Sequence, residues 1–237
     1  MATCVGTIDE IYRYPVKSLG GERLESCSIQ PYGLEGDRAY AFFDETKEGW
    51  SRYVTARKIP ELLSYQAKYN AQHEVQIKSP TGEIYNWDNK LLEEVQRLTK
   101  VKLSMLNYKD HPPIMPELMA VDAASILIIT NQTISRLETL WGKSVDPRRF
   151  RSNIIVNLED SEFDERMWIG ARLRIGDAEL QVDECCERCA MITIHPDTLD
   201  REVSLLRTVN EEMDLKFGVY ASIVNAGHIR KDDRIYL

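Results

Sequence analysis

Short apolar runs broken by glycine and proline dominate the hydropathy pattern of this chain. Alternating or clustered β-branched and aromatic residues predict strands at 5–14, 24–30, 39–44, 64–69, 74–78 and 83–87 in the first half. Pro15 and Gly20-Gly21 end the first of these, and Gly33-Leu34-Glu35-Gly36-Asp37 reads as a turn. Residues 89–100 show helical spacing, with Leu91, Leu92, Val95 and Leu98 on one side. The second half predicts strands at 125–130, 154–156, 173–175, 179–182 and 219–224. The third and fourth of these form a hairpin across Gly176-Asp177. Helices are predicted at 131–141, with Ile134, Leu137, Leu140 and Trp141 inward and Gly142 as the stop, and at 202–213. Many short strands and few helices place the fold as mainly β with some α, of barrel or sandwich type. No internal repeat and no low-complexity segment interrupts it.

Composition narrows the function. The 237 residues carry 30 Lys and Arg against 38 Asp and Glu, a net charge of -8. That balance argues against nucleic acid as the partner, which selects for a basic face. No apolar run is long enough to span a membrane as a helix, and the N-terminus lacks the basic start and apolar core of a signal peptide. An intracellular, cytoplasmic location is therefore expected. Five cysteines without framework spacing suit reduced thiols. His111-Pro112-Pro113, with Pro116, marks a connection between residues 1–110 and residues 111–237.

Four segments concentrate chemistry. Asp183-Glu184-Cys185-Cys186-Glu187-Arg188-Cys189 gathers three cysteines after a strand. A cation beside a thiol favours the thiolate, which makes Cys189, following Arg188, the reactive candidate. Structural zinc or buried inert thiols are the alternatives. Residues 190–198, after the cluster, read as a strand that ends in a proline turn. Asp146-Pro147-Arg148-Arg149-Phe150-Arg151-Ser152-Asn153 leads into the strand at 154. Strand alternation predicts Arg149 and Arg151 on one face, as a solvated rim or as an anion pocket to which Asn153 contributes. Tyr14-Pro15-Val16-Lys17-Ser18-Leu19-Gly20-Gly21 has the composition of a phosphate loop without its spacing, which argues against a nucleotide P-loop and for a surface turn with a solvated lysine. Asp37-Arg38 closes the Gly33–Gly36 turn as an ion pair.

In chain order, the Tyr-Pro-Val-Lys-Ser run, the Gly-x-x-Gly-Asp-Arg turn, Arg-Phe-Arg-x-Asn, Cys-x-Arg-Cys and the distal Phe217-Gly218-Val219-Tyr220 resemble the molybdenum-cofactor sulfurase C-terminal (MOSC) superfamily. Within it, the chain is most similar to the amidoxime-reducing group. The resemblance implies a β-rich N-terminal domain over residues 1–110 and a MOSC β-barrel over 111–237, with a molybdopterin cofactor between them. It implies Cys189 as the molybdenum ligand, supported by Arg188. Lys17, Ser18, Arg38, Arg149, Arg151, Asn153 and Tyr220 would hold the pterin and its phosphate.

The implied activity is reduction of N-hydroxylated compounds such as amidoximes and hydroxylamines. The chain has no nicotinamide, flavin or iron–sulfur fingerprint. Electrons would come from a separate partner such as a cytochrome b5 with its reductase, or a ferredoxin. A non-catalytic cofactor or sulfur carrier, with a persulfide on Cys189, is the alternative. The wider superfamily also brings an association with pyridoxal phosphate. Against the family pattern, His195 stands where Asp is usual, Leu199 where Gly is usual, Ser152 where Pro is common and Glu187 where a small or polar residue is expected. Cys185 is an added thiol.

Overall fold

The computed structural model describes residues 2–108, 124–159 and 164–237. The first half holds strands β1 (Cys4–Arg13), β2 (Glu22–Leu24), β3 (Ser26–Gln30), β4 (Gly33–Leu34), β5 (Tyr40–Asp44), β6 (Gln66–Tyr69), β7 (Val75–Lys78) and β8 (Ile84–Asn86). Helix α1 (Asn89–Gln96) and β9 (Leu103–Asn107) complete it. The second half runs β10 (Ile126–Thr130), α2 (Asn131–Trp141), β11 (Ile154–Leu158), β12 (Arg172–Ile175), β13 (Ala178–Glu187), α3 (Val203–Met213), β14 (Lys216–Asn225), β15 (Gly227–Arg230) and β16 (Arg234–Tyr236). The fold is mainly β with some α, as the pattern predicts. Among the described residues no helix is long and apolar enough to cross a membrane.

Strands β11, β10, β14, β13, β12, β16 and β1 close into a seven-stranded barrel through the pairing of β1 with β11. Closure removes the open edges that a sheet would otherwise expose. The barrel is filled by inward residues such as Ile8, Ile11, Ile154, Val156, Leu180 and Trp168. Strands β10 and β11 are parallel, so the chain must cross over between them, and α2 makes that crossing. Thr130 caps α2 by accepting from Thr133 N, and Gly142 ends it at φ 76°. Phe150 and Phe217, stacked 3.9 Å apart, pack with Leu137, Leu205 and Val209 of α2 and α3 outside the barrel. The rest of the first half packs around Phe42, Leu62, Ile77 and Leu91.

The structure departs from the sequence expectations at several places. The strand expected at 24–30 is two strands bent at Glu25: β2 pairs with β1, while β3 joins β15 from the far end of the chain. The connection at His111–Pro116, and with it the expected division at 110/111, lies outside the described residues. In space, β1 is a stave of the barrel built otherwise from the second half. Strand alternation does not apply to Arg149 and Arg151, because Pro147–Phe150 is a 3-10 turn. Asp146 starts that turn by accepting from Arg148 N, and β11 begins only at Ile154. Residues 190–193 form a second 3-10 turn rather than a strand. Their β-branched run Ile192-Thr193-Ile194 mimics a strand but is buried on consecutive positions. The inward face of α2 is narrower than expected, since Leu140 is exposed. β4, β9, β15 and β16 carry too little periodicity to be read from sequence.

Candidate functional site

One cleft of about 780 Å³ opens where the barrel meets the first-half sheets. Every candidate residue named from sequence lines it: Cys189 and Arg188, Lys17 and Ser18, Arg38, Arg149, Arg151, Asn153 and Tyr220. They come from segments more than a hundred residues apart, brought together because β1 is built into the barrel and carries the 14–18 turn at its end.

The cysteine wall arises from irregular pairing. β13 and β14 are antiparallel, but their register shifts between Val182 and Glu184 and again between Cys185 and Glu187. A regular strand would send alternate side chains to opposite faces. The bulges break that rule, and all residues from Asp183 to Cys189 border the cleft. Cys189 is exposed, Cys185 is partly buried and Cys186 is buried. Burial pushes the Cys185 thiol up, against the pull of Lys216 and Arg166. All five cysteines are free thiols.

Arg188 does not act as the sequence reasoning supposed. Its Nη1 donates to the sulfur of Cys186 at 2.8 Å and its Nη2 to Phe150 O at 2.7 Å. Its Nε is buried and has no partner among the described residues. The local cation therefore sits against Cys186, and Cys189 projects beyond it into the cleft.

The opposite wall is a cationic cradle around Tyr14. The buried Tyr14 ring has the Arg38 guanidinium at 4.7 Å and the Arg151 guanidinium at 4.2 Å from its centroid. Asp37 accepts from Tyr14 N at 2.7 Å through one oxygen and pairs with Arg38 through the other. Arg38 donates to Arg151 O at 2.9 Å, and Arg151 donates to Leu19 O at 2.6 Å. Burial pushes the Tyr14 hydroxyl up to about 12, with Arg151 and Arg38 opposing. Ser18, Arg38 and Arg151 all take positive φ, at 69°, 49° and 54°. Non-glycine residues seldom adopt that backbone, and such strain gathers at functional sites. Gly36, at φ 77°, lets the turn approach Tyr69, whose ring would meet a Cβ at 2.7 Å.

Two candidates border the cleft with their polar atoms largely engaged elsewhere. Arg149 donates from Nη1 to Ile192 O and Thr193 O, both at 3.2 Å, and from Nη2 to Glu202. It braces the turn that follows Cys189 against the start of α3. Asn153 accepts from Leu127 N at 3.2 Å and donates to Tyr12 O at 3.3 Å, tying β11 to β10 and β1. Sequence reasoning missed Arg57 and Lys216, which also line the cleft. Neither lies in a segment whose spacing marks it out.

The turn after the cysteines explains two departures from the family pattern. His195 Nδ1 accepts from Asp197 N at 3.2 Å and Thr198 N at 3.3 Å, which is the capping task an aspartate performs. Leu199 stands at φ 62°, a conformation that favours glycine. Among the described residues no group of three or more His, Cys, Asp or Glu is arranged to hold a metal ion. The zinc alternative, which needs four such ligands, has no ligand set there.

Two family models match the chain. The MOSC domain model matches residues 116–236, and the model described as the MOSC N-terminal beta barrel domain matches residues 5–114. This chain belongs to the MOSC domain family. It is 28% identical to mitochondrial amidoxime reducing component 2 of Macaca fascicularis, over 98% of this chain and 83% of that protein. It is 25% identical to mitochondrial amidoxime-reducing component 1 of Homo sapiens, with the same two coverages. It is 39% identical to the molybdenum cofactor sulfurase of Bombyx mori, over 95% of this chain but 33% of that protein. The crystal structure of the YUAD protein from Bacillus subtilis shares the fold, with a TM-score of 0.51 at 11% identity, covering 100% of this chain and 97% of that one. The family matches carry no support for pyridoxal phosphate.

The cleft suits the cofactor that the family implies. Its cations suit an anionic pterin phosphate, and the unpartnered Arg188 Nε and Arg149 Nε are buried donors at its wall. The exposed Cys189 thiol is a soft ligand of the kind molybdenum takes.

Proposed function

We propose that this MOSC protein is a molybdenum-cofactor-dependent reductase of N-hydroxylated compounds, amidoximes and hydroxylamines among them. The observation that carries the reading is the placement of one exposed thiol, Cys189, in a cleft where cations from both halves of the chain, Lys17, Arg38, Arg57, Arg151 and Lys216, gather together with the acidic Asp183, Glu184 and Glu187. The names of its relatives support the substrate class. In this reading Cys189 ligates the metal, while Lys17, Ser18, Arg38 and Arg151 hold the pterin phosphate. Arg149, Arg188 and Asn153 fix the loops that carry these groups, and Tyr220 closes the floor. Residues 1–110 and 111–237 act as the two family units, with β1 crossing between them.

The cofactor, when bound, supplies the two-electron chemistry that breaks the N–O bond. An amidoxime takes up two electrons and two protons and leaves as an amidine and water. The protein orients the N–OH group toward Cys189, and Arg57 and Lys216, which line the same cleft, supply positive charge not committed to the phosphate. Those fixed cations favour the build-up of negative charge on the departing oxygen. The electrons come from a separate protein of the cytochrome b5 or ferredoxin class, in an intracellular compartment.

The test is molybdenum content together with benzamidoxime reduction by protein from a cofactor-competent host, with reduced methyl viologen as donor. Near-stoichiometric molybdenum and turnover, both lost in Cys189→Ser, is the expected result. A persulfide on Cys189 with no turnover would establish the sulfur-carrier alternative instead.

A further inference from the structure

A second, smaller cavity of about 370 Å³ adjoins the main cleft and shares Lys17 and Arg57 with it. Its volume lies within the range of about 300–1,000 Å³ common for small-molecule sites. Lys58 adds a third cation, and no carboxylate lines it among the described residues. On a chain with a net charge of -8, Arg57 and Lys58, adjacent in sequence and in a pocket with no described carboxylate, mark a site for an anion.

The other wall is aromatic. Trp50 and Tyr53 sit 5.4 Å apart at a 41° tilt on the 3-10 turn Gly49–Arg52 and its exit. The Lys17 ammonium lies 5.5 Å from the Tyr53 ring, and the Arg52 guanidinium 5.4 Å. Tyr53 is buried and held by the Tyr108 hydroxyl, so it is fixed in place. Trp50 is 51% exposed, an unusual position for so large an apolar ring. Trp50, Arg57 and Lys58 line the same cavity, so a flat ring laid on Trp50 shares it with two cations.

We propose that this side pocket is a recognition subsite for a planar aromatic anion, the charged end of a substrate whose N-hydroxyl group reaches into the main cleft. The subsite rests on the proposed reductase function for its role, but not for its ability to bind. Lys58 and the Trp50–Tyr53 pair select the anion and the ring, and the shared Arg57 sets the direction in which the substrate enters.

Calorimetric titration of the purified protein with 2-naphthoate, and with neutral 2-naphthamide, tests the binding. Naphthoate is expected to bind at least tenfold more tightly than the amide, a difference of about 1.4 kcal/mol. Lys58→Glu and Trp50→Ala are each expected to weaken naphthoate about tenfold. Equal binding of acid and amide, or naphthoate affinity unchanged in both variants, overturns the subsite. With loaded protein, 4-carboxybenzamidoxime is expected to exceed benzamidoxime in kcat/KM about tenfold, and Lys58→Glu to remove that preference alone. Naphthoate binding without any amidoxime turnover overturns the reductase reading and leaves the anion pocket standing. Turnover with no preference for the carboxylated substrate overturns the subsite.

Discussion

Arg188 donates to the sulfur of Cys186, not to that of Cys189, its neighbour in sequence. The same guanidinium reaches back to Phe150 O and lies 5.3 Å from the Phe150 ring, which stacks on Phe217. Arg188 thus locks the cysteine strand to the arginine turn and leaves Cys189 to the cleft. Lysine has a single terminal nitrogen and cannot reproduce the two contacts that Nη1 and Nη2 make from separate positions of the planar fork. Arg188→Lys is expected to lower stability by about 1.5–3 kcal/mol, the worth of a charged hydrogen bond, read as a shifted urea midpoint. An unchanged midpoint would show that the lock is idle.

Tyr14 separates packing from hydrogen bonding in the cradle. Its ring contacts both the Arg38 and the Arg151 guanidinium, yet its hydroxyl is buried without a partner among the described residues. An unpaired buried hydroxyl costs stability, so Tyr14→Phe is expected to leave the melting temperature unchanged or higher. Tyr14→Ala removes the platform and is expected to cost about 3–5 kcal/mol, with reduced cofactor content in whatever folds. Thermal denaturation of both variants checks the pair. A large loss in Tyr14→Phe would mean that the hydroxyl has a partner.

Glu165 is a buried carboxyl that joins three elements. It accepts from Thr130 at 2.7 Å, from Thr133 and, through its other oxygen, from Gly218 N at 3.2 Å. Burial raises its pKa above the ordinary 4.5, although the threonine hydrogen bonds pull it down. A folded value above the unfolded one means that the native state keeps the proton longer. Its stabilising contribution is full below the unfolded value and is lost as pH rises through the folded value. Glu165→Gln is therefore expected to remove one component of the stability loss between pH 5 and pH 8. Urea titrations of both proteins at the two pH values measure it. Identical pH dependence in the variant would contradict a raised value.

The strands and helices most legible in the sequence were those with strong local periodicity. The bounds of α2 agree with its periodicity because Thr130 caps it and Gly142 stops it. The hairpin of β12 and β13 was marked by Gly176-Asp177. The candidate site residues stand out as motifs, and the structure gathers them in one cleft. Their division of labour was not legible. That Arg149 braces Thr193 and Asn153 ties Leu127 depends on contacts across dozens of residues, which no local pattern encodes. The bulges of β13 were hidden for the same reason, since a bulge is defined by its partner strand.

The cysteines offer a chemical readout of the whole arrangement. Only thiolate reacts with iodoacetamide, so rate follows both exposure and acidity. Cys189 is exposed, whereas Cys186 and Cys27 are buried, and burial pushes the Cys27 thiol up to about 11. Cys185 lines the cleft but is partly buried, with its thiol also pushed up. Brief alkylation of cofactor-free protein at pH 7.5 is expected to label Cys189 first and Cys185 more slowly. Cys186 and Cys27 are expected to react only after unfolding. Peptide mass spectrometry over a time course gives the order. If Cys189 ligates the metal, loaded protein is expected to lose that first label while Cys185 keeps part of its reactivity. Equal labelling of Cys189 with and without cofactor would remove it as the ligand while leaving the geometry of the cleft intact.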